Sequence, residues 1–246
     1  MILRGRSFEG VFITAFAIAT FLANNMKVED QSDYTKVISV GEADLMPTTN
    51  PDVKSAAITL STKVARIQIK DISFEGDIKG MVAGIFVNGY YPTMQLNGTA
   101  GILQSSSASA DYVGNSAIFP SSLSGFVYDM VNKPVAASVK PNSANGVWGY
   151  NLFASATPQI IIKLTGVEVN GQTLANDQFI TVNGFKNSGT NDAIANIAGG
   201  MIYTIQIGSL VVKPEHLSIA PGVTPMKVDV TVTPVTWQET IVIPNL

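Results

Sequence analysis

Short runs of β-branched and aromatic residues, broken by clusters of Gly, Pro, Asn and Ser, recur from one end of the chain to the other. Val, Ile, Thr, Tyr, Phe and Trp suit a pleated, half-buried surface, while the interrupting residues adopt turn backbone cheaply. A chain written this way is confined to an all-β sandwich or barrel. The pattern predicts strands over residues 56–60, 64–74, 81–87, 159–169, 179–182, 201–207 and 228–233. In one of them Val64, Arg66, Gln68 and Lys70 alternate with Ala65, Ile67, Ile69 and Asp71, which makes one face wet and one buried. Val169-Asn170-Gly171-Gln172 predicts a tight hairpin, because Asn-Gly tolerates positive φ at both central positions. Asn88-Gly89 and Asn183-Gly184 carry weaker versions of that signal. No long stretch has a helical period with caps, although residues 187–200 predict a turn of helix and 121–130 are undecided.

The residue inventory is poor in chemistry. There is no cysteine and one histidine, His216, so thiolate sites, disulfides and most imidazole constellations are excluded. A lone His216 in Lys213-Pro214-Glu215-His216-Leu217 reads as a loop residue rather than an acid, base or ligand. Asp71, Glu75 and Asp77, and separately Asp229 and Glu239, read as solvated strand ends, although paired carboxylates are also what glycoside hydrolysis uses. Asp111, Asn115 and Asp192 lie in polar loops without the ligand spacing of a calcium site. Asn97-Gly98-Thr99 is a glycosylation sequon for a producer that uses one. These residues predict no catalytic site, no cofactor and no metal. A net charge of −3 without a basic cluster predicts no nucleic-acid partner. Charged residues make up only 13% of the chain against roughly 25% in ordinary soluble domains, so the surface is easily covered by a neighbour.

The N-terminal stretch has two readings. Arg4 and Arg6 precede an apolar run over residues 11–22, the look of a secretory signal. Phe12, Thr14, Phe16, Ile18, Thr20 and Leu22 alternate, which is the period of a strand. A polar stretch over residues 27–52 follows, and the expected organisation is a short N-terminal β region, 1–60, and a larger β-sandwich, 61–246. The first is too small to hold a core alone and leans on the second or on a neighbouring subunit.

Six segments together resemble the fimbrillins that build type V pili in Bacteroidales. They are Val64-Ala65-Arg66-Ile67-Gln68-Ile69-Lys70, Gly84-Ile85-Phe86-Val87-Asn88-Gly89-Tyr90-Tyr91-Pro92-Thr93, Gly149-Tyr150-Asn151-Leu152-Phe153, the stretch PQIIIKLTGVEVNG (158–171), Gly200-Met201-Ile202-Tyr203-Thr204-Ile205, and the valine-rich, tryptophan-ended stretch 228–237. The chain departs from that family in lacking a lipobox cysteine and in the shortness of the stretch before Ala56.

The resemblance implies a transthyretin-like β-sandwich, the C-terminal fimbrillin domain with a shortened N-terminal region. It implies a structural, non-enzymatic pilus subunit, secreted via the outer membrane and displayed in an extracellular cell-surface fimbrium for adhesion. Its partners would be copies of itself, related pilus subunits, and a host or bacterial surface receptor. In the family an Arg-specific protease removes an N-terminal strand, and a C-terminal strand from the next subunit fills the groove. Arg4 and Arg6 match the processing arginines, and residues 228–246 match the donor, with Val228, Val230, Val232, Val235, Trp237, Ile241 and Ile243 as its apolar interface side chains. The competing reading is a carbohydrate-binding or adhesin module of the cell surface, with Tyr90, Tyr91 and Trp237 as exposed stacking residues.

Overall fold

The computed structural model describes residues 23–31, 39–41, 46, 47, 49, 54, 55, 61–142 and 146–235. Its eight principal strands are β1 (Val64–Ile69), β2 (Ile78–Asn88), β3 (Tyr128–Pro134), β4 (Trp148–Phe153), β5 (Gln159–Val169), β6 (Gln178–Asn187), β7 (Met201–Ile205) and β8 (Pro225–Pro234). They form one sheet in the order β3-β2-β5-β6-β8-β7-β1-β4. Neighbours are antiparallel except β6 with β8 and β7 with β1. The predicted all-β sandwich is therefore what the chain adopts. Helical backbone among the described residues is confined to the 3-10 turns Val28–Gln31, Ser109–Asp111, Ser121–Leu123 and Pro214–His216.

The sheet curls until its two ends meet. β3 and β4 stand at opposite ends of the strand order, yet the Tyr150 hydroxyl of β4 donates to Asp129 Oδ2 of β3 at 2.9 Å. Between the facing halves lies a continuous core that includes Ile67, Ile69, Ile85, Ile162, Ile180, Ile205 and Val230, all fully buried.

A second cluster covers the other face of β2. Phe86 stacks on its cross-strand neighbour Tyr128 at 5.4 Å between ring centroids, and Phe119 and Tyr112 meet Phe86 edge-on at 5.1 and 5.4 Å. Buried tyrosine hydroxyls need partners, and they find them in the loop that carries the covering rings. Tyr90 donates to Ile118 O, Tyr112 to Ser106 O, and Tyr128 to Gly114 O. Because both of its faces are covered, β2 is buried continuously from Val82 to Asn88, and β5 reads Ile160-Ile161-Ile162 without alternation.

The N-terminal residues described join the same body. Asn25–Lys27 pairs with Thr93–Gln95, and Met26 and Val28 are buried.

Several local expectations are met and several are corrected. β5 spans Gln159–Val169, as the sequence predicts, and its tight turn has Asn170 at φ 51° and Gly171 at φ 78°, the positive pair that a type I′ hairpin needs. The single strand expected over residues 64–74 is two, β1 and Ile72–Phe74, separated at Lys70 and Asp71. Asn183-Gly184 is not a turn but lies within β6, where the register against β8 slips between Val182 and Gly184. Residues 187–200 hold no helix; Ala193–Ile194 pairs back onto β6, and Asn196–Ile197 pairs with Ser155–Ala156. The strand expected over 56–60 and the apolar run 11–22 lie outside the described residues.

Candidate functional site

The residues with the chemistry to react are scattered and occupied in structural contacts. His216 ends the Pro214–His216 turn, and its Nδ1 accepts the Lys213 backbone N–H at 3.1 Å. Glu75 lies near it through Lys213, with 3.2 Å between Lys213 Nζ and Glu75 Oε2. Asp71 corrects one expectation outright, since it is not a solvated strand end but completely buried. Its carboxylate accepts Ser73 Oγ and Ser138 Oγ at Oδ2 and the Gly208 N–H at Oδ1. It thereby ties the end of β1 to two other segments, at the break that divides residues 64–74. Among the described residues no group of three His, Cys, Asp or Glu side chains could hold a metal ion.

Tyr90 is also corrected: it is 2% exposed with its hydroxyl engaged, so it offers no face to a sugar, and Tyr91 is half-buried. Asp111 is held by Ser106 Oγ within its own loop.

The expected donor segment divides at Val235. Residues 228–233 lie within β8, an interior strand with β6 on one side and β7 on the other. Val228 pairs with Phe185, and Val230 stands between Asn187 and Ile205. Val228 and Val230 are buried, and Val232 is half-buried opposite Tyr203. β6 covers one edge of β8 over Pro225–Val230 and β7 covers the other over Val230–Pro234, so each residue of this part of 228–246 is paired within its own sheet. Val235 closes it, its N–H donating to Gly200 O at 2.8 Å. Trp237, Ile241, Ile243, Arg4 and Arg6 lie outside the described residues.

The feature that the sequence did not single out is the seam where the curled sheet fails to close. Among the described residues no strand pairs with the outer edge of β3 or β4, and a groove of about 360 Å³ lies between them. Arg66, Asp129, Met130, Lys133, Trp148 and Gly149 are among its lining. A Cβ at Gly149 would meet the Arg66 guanidinium and make it shift, and that guanidinium donates to Asn151 Oδ1 at 2.9 Å. The seam is bridged by two side chains laid end to end, Tyr150 and Asp129, rather than by backbone.

Loss of water raises the Asp129 carboxyl above its usual 3.8, and the Tyr150 hydrogen bond partly opposes this. Burial, with Asp129 beside it, raises Tyr150 well above the usual tyrosine value, so the phenol keeps its proton and remains the donor. β3 has a bulge between Met130 and Lys133, a positive φ at Asn132 and a terminal proline, whereas β4 pairs evenly with β1 over its whole length. In sequence, Tyr128-Asp129-Met130-Val131-Asn132-Lys133-Pro134 of β3 lacks clean alternation, whereas Trp148, Tyr150 and Leu152 of β4 alternate.

No family model matches the chain, and no curated protein matches it significantly. Among solved structures it is similar to a predicted cell-adhesion protein from Bacteroides eggerthii, at 15% identity and TM-score 0.48 over 89% of this chain and 71% of that one. It is similar to a fimbrilin from Porphyromonas gingivalis at 12% identity and TM-score 0.48, over 91% and 76%. A predicted cell-adhesion protein from Parabacteroides distasonis matches at 11% identity and TM-score 0.46, over 91% and 70%. At these identities and TM-scores the likenesses carry no functional conclusion.

Proposed function

We propose that this chain is a structural, non-enzymatic subunit of a fimbrillin-type surface filament, joined to copies of itself and to related subunits by a donated C-terminal strand. One observation carries the reading. The six segments that resemble fimbrillins fall on β1, β2, β4, β5, β7 and β8, six strands of a single sheet. The resemblance thus runs through one packed unit, not through isolated stretches of valine and isoleucine.

The donor in this reading is the part of 228–246 that follows Val235, because β8 is committed to its own sheet. Trp237, Ile241 and Ile243 supply its apolar anchors. Strand addition draws affinity from main-chain hydrogen bonds and register from alternate side chains, which suits a chain so poor in charge. Processing at Arg4 or Arg6 gives access to the acceptor. The filament is exported across the outer membrane and acts in adhesion at the cell surface.

Negative-stain microscopy before and after Arg-specific proteolysis tests the reading. Filaments after cleavage are the expected outcome. A monodisperse monomer under every condition, cleaved and uncleaved, would contradict it.

A further inference from the structure

We infer that residues 97–113 carry a self-association face, and that its occupant is the same face of a second copy of this chain, with Ile102 meeting Ile102 across a two-fold axis. The contact is separate from the donated strand of the filament reading and does not depend on it.

The face stands out first by charge. Between Lys79 and Asp129 the only Asp, Glu, Lys or Arg is Asp111, and its carboxylate already accepts Ser106 Oγ. Tyr112 and Phe119 turn the inner side of this stretch onto Phe86 of β2, so its outer side is what a neighbour meets. The exposed positions from Asn97 to Val113 are Asn, Thr, Ala, Gly, Ile, Leu, Ser and Val, without a charge among them. Interface centres are depleted in charge in the same way.

Two large apolar side chains are set in it. Ile102 is 80% exposed and Leu103 49%. They are fixed in place, because the Gly101 N–H donates to Thr93 O, and Tyr90 and Gln104 exchange both of their backbone hydrogen bonds. A side chain held this way loses little freedom on docking. Ala100 and Gly101 beside it are small, so a second backbone can come close.

Charge also decides the occupant. Other parts of the surface carry Lys79 with Asp77 and Glu168, Lys163 with Asp177, and Lys213 with Glu75. Docked on residues 97–113, any of these groups would lose water and gain no opposite charge, which costs free energy. The patch that meets this face without stranding a charge is the face itself. A patch that meets its own copy does so about a two-fold axis, and Ile102, the most exposed large apolar side chain among the described residues, marks that axis.

Area limits the strength. A stable interface buries at least about 1,000 Å², and so few apolar side chains give only brief encounters between single subunits. Copies held in a row, as in the proposed filament, multiply the contact and lay one filament beside the next.

The chain has no native cysteine, so one introduced thiol reports the axis. Full-length Ile102→Cys, oxidised and run on a denaturing gel without reductant, should give a disulfide-linked dimer, since Cα atoms within about 7 Å can be bridged. Ile207→Cys is the control. Ile207 is 63% exposed but follows Gln206, whose Oε1 accepts Lys70 Nζ at 2.7 Å, and this variant should run as a monomer. Adding Leu103→Glu to Ile102→Cys sets two like charges across the axis and should abolish the dimer, with circular dichroism confirming that the fold is kept.

Equal dimer from Ile102→Cys and Ile207→Cys would mean random collision and overturn the inference. A dimer that survives Leu103→Glu would overturn the face. No dimer at all would overturn it too: a thiol at position 102 that resists a maleimide is covered by its own chain, and one that reacts has no partner copy. Oxidation traps brief contacts whether or not filaments form, so microscopy judges the filament reading separately.

Discussion

Asp71 is fully buried with three donors on its carboxylate, two serine hydroxyls and a backbone N–H from separate segments. Removing the acceptor gives up three hydrogen bonds, each worth roughly 1 kcal/mol net. Asp71→Ala should therefore cost about 3 kcal/mol in urea denaturation. A cost below about 1 kcal/mol would mean that the site relaxes or hydrates. Gly171 is a smaller case of the same kind. Its φ of 78° is left-handed, so Gly171→Ala should cost about 1 kcal/mol, and an unchanged denaturation midpoint would count against the I′ turn. The two residues differ in how far the sequence gives them away. Asn-Gly between strands is a local signal with a local cause, and the turn is where the sequence predicts it. Asp71 looks like the polar end of an alternating strand, and its burial depends on Ser138 and Gly208, which lie far along the chain. Tyr90 misleads for the same reason, since the loop that covers it, around Ile118, lies well along the chain.

At the level of elements, β3 and β4 are bridged by the Tyr150–Asp129 hydrogen bond. Burial raises the Asp129 carboxyl in the folded state, so just above its usual 3.8 the folded chain binds more protons than the unfolded one. Stability from this group is therefore greatest at low pH and falls as pH rises through that window. The tyrosine hydroxyl favours the carboxylate and limits the fall. Tyr150→Phe should raise the Asp129 titration midpoint further, read from its carboxyl carbon by NMR. An unchanged or lowered midpoint would show that the hydroxyl does not hold the carboxylate. Long strands with a strong pattern, such as β5, are legible in sequence, whereas partners are not. Nothing in Pro225-Met226-Lys227-Val228-Asp229-Val230 says that β6 will run parallel on one side and β7 antiparallel on the other. The alternation of valines fits a donor and an interior strand equally well.

For the whole molecule, the account is that β8 completes the subunit and that the chain after Val235 joins subunits. The fold class follows from composition and period, because so many β-branched runs with such punctuation have few other solutions. The seam does not follow, because it arises where the two ends of a curled sheet meet, and no single segment encodes both edges. The two parts of the C-terminal expectation can be separated by deletion. Removing residues 237–246 leaves every ladder among the described residues intact, including Pro225–Pro234. The most direct test is negative-stain microscopy of the full-length and truncated chains under the same assembly conditions, with folding of each followed by circular dichroism. The account predicts filaments from the full-length chain and a folded, soluble monomer without filaments from the truncated one. Filaments from the truncated chain, or its unfolding, would contradict the account.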